Sequence, residues 1–124
     1  MKKELQLLND LIRQNEKEAN VDFFKKHLSE DMIFKRIDGS IATKQDFING
    51  LGGRKWNKLE NTSLEIFYNE QQPNVAIVAV EVTYDFVNAK GENRQGIAKN
   101  IRYFRKNGDL WHLYMWYNEK IDKF

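Results

Sequence analysis

The feature that most constrains this chain lies near its end. Two alternating runs, residues 96–105 and 110–118, flank the segment Lys106–Asn107–Gly108–Asp109. Asn-Gly is a strong short hairpin signal because both residues tolerate positive φ. With Asn107–Gly108 as a two-residue turn, Phe104 pairs with Trp111, Arg102 with Leu113, Asn100 with Met115 and Ala98 with Tyr117. Side chains alternate along a strand, so these eight share one face. The reverse face then holds Ile97, Lys99, Ile101 and Tyr103, with His112, Tyr114, Trp116 and Asn118. Aromatic side chains on both faces require cover on both.

The rest of the chain supplies one cover. Leu5, Leu8, Leu11 and Ile12 recur at helical spacing, and the pattern weakens through Gln14–Glu18. It resumes at Ala19, Phe23, Phe24 and Leu28 behind Asn20, a good cap. Residues 3–28 therefore read as two consecutive helices. Residues 32–37 read as a short strand, ending in a turn at Asp38–Gly39–Ser40. Thr43 caps a third helix with Phe47, Ile48 and Leu51 on its buried side, and Gly50, Gly52 and Gly53 end it. Residues 54–61 read as a loop bearing Trp56. Strands follow at 64–68 and 75–86, separated by the turn Gln71–Asn74. Helices first and an antiparallel meander after them make an α+β fold. No helix is left for the second sheet face. The chain is thus expected to form a homodimer through Ile101, Tyr103, His112, Tyr114 and Trp116.

Composition excludes several classes. A chain of 124 residues, 41% hydrophobic, fits a single domain over 1–124 with an adequate core. It has no cysteine, which removes disulfides, thiolate metal sites and a thiol nucleophile. His27 and His112 form no ligand-spaced cluster, so no metal and no cofactor are expected. His27 suits the last turn of a helix, and His112 falls on the interface face. The net charge of +2 is too small and too dispersed for a nucleic-acid partner. The longest apolar run, Val75–Val80, cannot span a bilayer, and the charged amino terminus lacks a signal peptide's apolar stretch. Membrane association is not expected, and the cytoplasm is the default location.

The order of several weak motifs adds a resemblance. The paired amino-terminal helices, Leu28–Phe34, the Asp38–Gly39 turn, Thr43–Ile48 and the closing Tyr103–Trp111 segment resemble the SnoaL-like branch of the nuclear transport factor 2-like (NTF2-like) superfamily. So do Leu113, Met115 and Tyr117, and the likeness covers nearly the whole chain. It implies a cystatin-like cone, in which a curved antiparallel sheet wraps around helices and leaves a pocket. It also implies dimerisation through the sheet. The chemistry stays open, because the fold hosts isomerases, cyclases, dehydratases and non-catalytic modules. Where ketosteroid-isomerase-like members carry a catalytic carboxylate, this chain has Arg36. Where SnoaL-type members carry histidines, it has Met115 and Tyr117. Neither a guanidinium nor a thioether takes a proton at neutral pH.

The candidate ligand contacts follow from the paired faces. Arg102 and Asn100 are the polar members of an apolar face with Trp111, Leu113, Met115 and Tyr117, a pattern that suits a small-ligand pocket. Arg102 would read an anion with its fork. Glu81 and Asp85 interrupt an apolar strand, either as a cavity-lining acid pair or as a solvated side balancing cross-strand cations. Asp38 is a candidate base or a turn residue, and Trp56 a lid or a plug. The function expected is binding of a small polar-apolar molecule in the cone, acidic or carbonyl-bearing where Arg102 orients it. The alternatives are a cofactor-free isomerase, dehydratase or hydrolase, and an assembly module with a filled cone.

Overall fold

The computed structural model describes residues 2–121. Helices α1 (Lys2–Lys17) and α2 (Val21–His27) come first, then strands β1 (Leu28–Lys35) and β2 (Ile41–Ala42), helix α3 (Lys44–Gly50) and a 3₁₀ turn at Leu51–Gly53. Four long strands complete the chain: β3 (Lys55–Phe67), β4 (Val75–Val87), β5 (Asn93–Asn107) and β6 (Leu110–Lys120). The sheet order is β2-β1-β6-β5-β4-β3. Helices pack inside a curved, open sheet, so the expected α+β cone is what the chain forms.

The capping chemistry is local and as read. The Asn20 side chain accepts the Phe23 N–H, and Thr43 and Asp46 form a reciprocal capping box on α3. The break between α1 and α2 also has a backbone cause. Ala19 takes φ 54°, and the Asn20 N–H returns to the Asn15 carbonyl at 2.9 Å, closing α1 with a left-handed residue.

Leu5, Leu8 and Ile12 of α1 and Phe24 of α2 bury against Val78, Phe104, Trp111 and Leu113. Phe24, Phe34, Phe47 and Trp116 form a chain of ring contacts with centroids 5.0–5.3 Å apart. Each such contact adds about 0.5–1.5 kcal/mol beyond area burial.

Four expectations are corrected. First, the sheet is not wholly antiparallel: the expected meander of β3 to β6 forms, but β1 joins it parallel to β6, with Phe34 beside Trp116. Second, residues 54–61 are mostly strand. Lys55–Asn61 pairs with β4 through a register shift between Trp56 and Lys58, and its polar sequence suits an edge strand with one face in water. Third, the last hairpin turns on Gly108–Asp109, since Asn107 pairs with Leu110. Gly108 has φ +61°, while Ala19 is the sole non-glycine at positive φ among the described residues. Glycine at the first of two central positions is the type II′ pattern, not the I′ pattern expected of Asn-Gly.

Fourth, the division of faces breaks halfway along β6. Phe104 pairs with Leu113 but Tyr103 with Met115, which leaves Tyr114 as an extra residue in a bulge. One inserted residue reverses the parity beyond it. Trp116, expected at the interface, is therefore inside the cone and 1% exposed. Met115 and Tyr117, expected inside, share the outer face with Tyr103, whose ring lies 5.9 Å from that of Tyr117 and 6.2 Å from that of Tyr114.

Candidate functional site

A cavity of about 480 Å³ opens at the wide end of the cone. Its apolar walls come from Phe34 of β1, Leu59 of β3, Val82, Tyr84 and Phe86 of β4, Ala98 of β5 and Trp116 of β6. Inward positions of β4 alternate strictly, so the run that supplies core residues lower down supplies cavity wall at this end. Asn100 and Asn118 are the polar groups of its inner wall.

Behind that wall runs a hydrogen-bonded network. The Asn100 carbonyl oxygen accepts from Trp116 Nε1 at 3.0 Å and from the Arg102 guanidinium at 3.1 Å, while its amide donates to Asn118 at 2.8 Å. Asn118 donates onward to the Lys35 carbonyl at 2.9 Å. Arg102 also donates to Asn9 Oδ1 at 2.8 Å, and Asn9 is anchored to the Leu5 carbonyl at 2.7 Å. The guanidinium lies 4.7 Å from the Trp116 ring centroid and is 1% exposed. Burial pushes it down to about 10, opposed by Glu16, and it remains a cation at neutral pH. Arg102 faces the interior as its position predicts. It is not among the side chains lining the cavity, because its fork is committed to Asn9 and Asn100.

Charge at the cavity comes from elsewhere. Among the described residues, Arg36, Arg54, Arg94 and Lys120 line it with only two carboxylates, Glu16 and Asp38. Asp38 is exposed and accepts from the Ser40 N–H and hydroxyl at 2.9 and 2.7 Å, which holds its carboxyl below the usual range. It is the turn residue, placed at the mouth. Glu16 is different. Its side chain is 12% exposed, and Arg54 approaches it only to 3.9 Å. Burial raises its carboxyl above the ordinary value of 4.5, against the pull of Arg54 and Arg102. Arg54 is spread over the rings of Phe86 and Trp56, at 5.0 and 5.8 Å from their centroids, and its side chain is 38% exposed.

The other sequence candidates fall away from the cavity. Trp56 packs on Phe86 and borders a smaller hollow beside the mouth. Trp111 and Leu113 belong to the core at the closed end. Glu81 pairs across the outer face with Lys99, and Asp85 accepts from Asn57 and Asn93. The anions on β4 thus take the solvated, cross-strand alternative. His112 sits opposite Arg105. Burial lowers His27, partly offset by its hydrogen bond to the Trp111 backbone.

Sequence reasoning missed Tyr84, Phe86, Arg54, Arg94 and Lys120 among the lining residues, and above all Glu16. The signal for Glu16 was present, because Leu5, Leu8, Asn9, Ile12 and Asn15 form the buried side of α1 and Glu16 follows Ile12 one helical turn on, half-buried. The stripe does not fade at its end. It turns polar where it meets the cavity. Among the described residues no histidine lines the cavity, no three His, Asp or Glu side chains cluster for a metal, and no helix is long and apolar enough to cross a membrane.

Curved sheet, inner helices and an open-ended cavity define the NTF2-like, or cystatin-like, cone fold. Solved structures agree. An NTF2-like protein of unknown function in nutrient uptake from Rhodospirillum rubrum matches with TM-score 0.85 and 18% identity over 95% of this chain and 98% of that one. A candidate calcium/calmodulin-dependent kinase II association domain from Exiguobacterium sibiricum matches with TM-score 0.84 and 16% identity, over 97% and 92% of the two chains. An NTF2-like protein from Cytophaga hutchinsonii gives TM-score 0.83 and 14% identity, over 98% and 100%. No family model and no curated protein matches the chain. At these identities the likeness establishes the fold.

Proposed function

We propose that the protein binds a small organic anion with an apolar, ring-sized body in the cone cavity. The observation that carries this reading is the lining: apolar and aromatic walls with, among the described residues, four cations against two carboxylates. The apolar body would lie against Phe34, Tyr84, Phe86 and Trp116, with its charge among Arg36, Arg54, Arg94 and Lys120. Arg102 supports the wall and does not anchor the ligand. A cavity of about 480 Å³ favours this over an assembly module with a filled cone.

Calorimetric titration with naphthalene-2-sulfonate tests it, with naphthalene-2-sulfonamide as the uncharged control and Ala98→Trp as the cavity-filling variant. Saturable one-to-one binding of the sulfonate is expected, at least about tenfold tighter than the sulfonamide and lost in a folded Ala98→Trp protein. Absent binding, or equal binding by both probes, refutes the reading.

One observation favours a second reading, a cofactor-free acid–base enzyme: Glu16 is a cavity-lining carboxyl raised by burial. Exchange of α-protons of an aryl ketone with deuterated solvent, abolished by Glu16→Gln, would establish it.

For assembly we propose a homodimer through the outer sheet face. Tyr103, Tyr114, Met115, Tyr117 and the exposed Ile77 and Ile97 lie on this face, which the helices do not cover.

A further inference from the structure

Glu16 and Arg54 are an ill-matched pair. The carboxylate is almost fully buried, the guanidinium is 38% exposed, and 3.9 Å separates their nearest charged atoms. No hydrogen bond joins them, whereas Arg102 donates to both Asn9 and Asn100. Arg54 borders the main cavity, the small hollow beside it and a shallow depression outside. It is a cation held loosely between an internal carboxylate and the space where a ligand's charge would go.

We propose that Glu16 and Arg54 form a latch that a bound anion opens by taking Arg54 for itself, and that each anion bound in the cavity is accompanied by one proton taken up on Glu16. This rests on the anion-binding reading and adds a regulation to it. An anion entering the cavity affects Glu16 twice. It brings a like charge close, and it draws away Arg54, the cation that most favours the ionised form. Burial already disfavours that form.

The surrounding charges do not replace Arg54. Arg102 on β5 is committed to two asparagines. Arg36, after β1, donates to Ser40 at 3.2 Å. Arg94 on β5 pairs with Glu92 at 3.2 Å. Lys120 on β6 lines the cavity too, while Asp38 at the mouth and Asp46 on α3, beside the small hollow, add negative charge. Along α1 the nearest charged residues in sequence are Arg13, Lys17 and Glu18. The proton comes from solvent, and no other group need change state. An anion would therefore be held more tightly in acid and released as pH rises, with no titration of its own.

Two measurements test the latch. The first needs no ligand: carbon-13 NMR of the Glu16 carboxyl across pH, in the native protein and in Arg54→Gln. The midpoint is expected to move upward in the variant, and an unmoved midpoint overturns the proposal. The second is calorimetry of naphthalene-2-sulfonate, which stays ionised throughout, in two buffers of different ionisation enthalpy. Native protein is expected to take up nearly one proton per anion between the Glu16 midpoint of the free protein and the higher midpoint of the complex, with affinity falling by up to about tenfold per pH unit across that window. Glu16→Gln is expected to bind with no proton uptake and a flat pH profile. Binding without uptake in the native protein, or equal uptake in Glu16→Gln, overturns the proposal. A sulfonate that fails to bind, while Arg54→Gln still moves the midpoint, overturns the anion-binding reading and the uptake that rests on it, but not the coupling of the two residues.

Discussion

Replacing Arg102 with Met separates a structural arginine from a ligand anchor. The substitution keeps much of the stem and removes the fork. Two hydrogen bonds from a charged donor disappear, to Asn9 at 2.8 Å and to Asn100 at 3.1 Å. Bonds of that kind contribute about 1.5–3 kcal/mol each. Asn100 keeps its bond from Trp116 Nε1, but Asn9 Oδ1 loses its guanidinium donor in a fully buried position. The contact over the Trp116 ring is also lost, worth about 2 kcal/mol when desolvated. Against these losses stands the relief of burying a guanidinium, several kcal/mol.

The net expectation is a destabilisation of about 2–4 kcal/mol, or a melting temperature lowered by about 10 °C for a domain of this size. The loss is expected to be larger at pH 8 than at pH 5, because Arg102 favours the ionised form of Glu16, which acid neutralises. Urea unfolding followed by circular dichroism measures the loss. Titration with naphthalene-2-sulfonate should give an affinity within about threefold of native, since Arg102 does not line the cavity. An undiminished melting temperature would refute the network argument. Collapsed affinity at native stability would return Arg102 to the role of anchor.

Three further outcomes are expected. Gly108→Val should cost about 1–2 kcal/mol in urea unfolding, because φ +61° strains a β-branched residue while nothing lies within 4 Å of the added Cβ. Glu16→Gln should be more stable than native protein at alkaline pH. The native pKa of Glu16 is raised, so the stability it contributes is whole below the ordinary value of 4.5 and lost as pH rises through the elevated one. Melting curves from pH 4 to 9 should therefore diverge upward for the variant, and curves that stay parallel would contradict the assignment. Multi-angle light scattering at about 100 μM should give a dimer for the native chain and a monomer for Tyr103→Glu. A native monomer would refute the sheet-face interface.

Much of this fold is determined locally and is legible in the residues. Asn20 and Thr43 cap helices because their side-chain oxygens meet N–H groups three residues on, a matter of chain neighbours alone. Leu5, Leu8 and Ile12 declare the buried face of α1, and the alternation of Val75–Val87 declares a strand with one face inward. The hairpin of β5 and β6 is equally plain, and so is the interior position of Asn100 and Arg102. Only the tertiary structure decided which residues share the cavity. A two-residue period has no memory of an insertion, so the extra Tyr114 exchanges Met115 and Tyr117 for Trp116 and Asn118 with no change in composition. Lys55–Asn61 becomes a strand because β4 offers an edge, which polar residues with one wet face accept. Glu16 becomes a site residue because the end of α1 meets Arg54 and Arg102, distant in sequence, inside the cone. Caps and stripes depend on neighbours along the chain. Register, burial of charge and the meeting of Glu16 with Arg54 depend on neighbours across space, and these exist only once the sheet has closed around the helices.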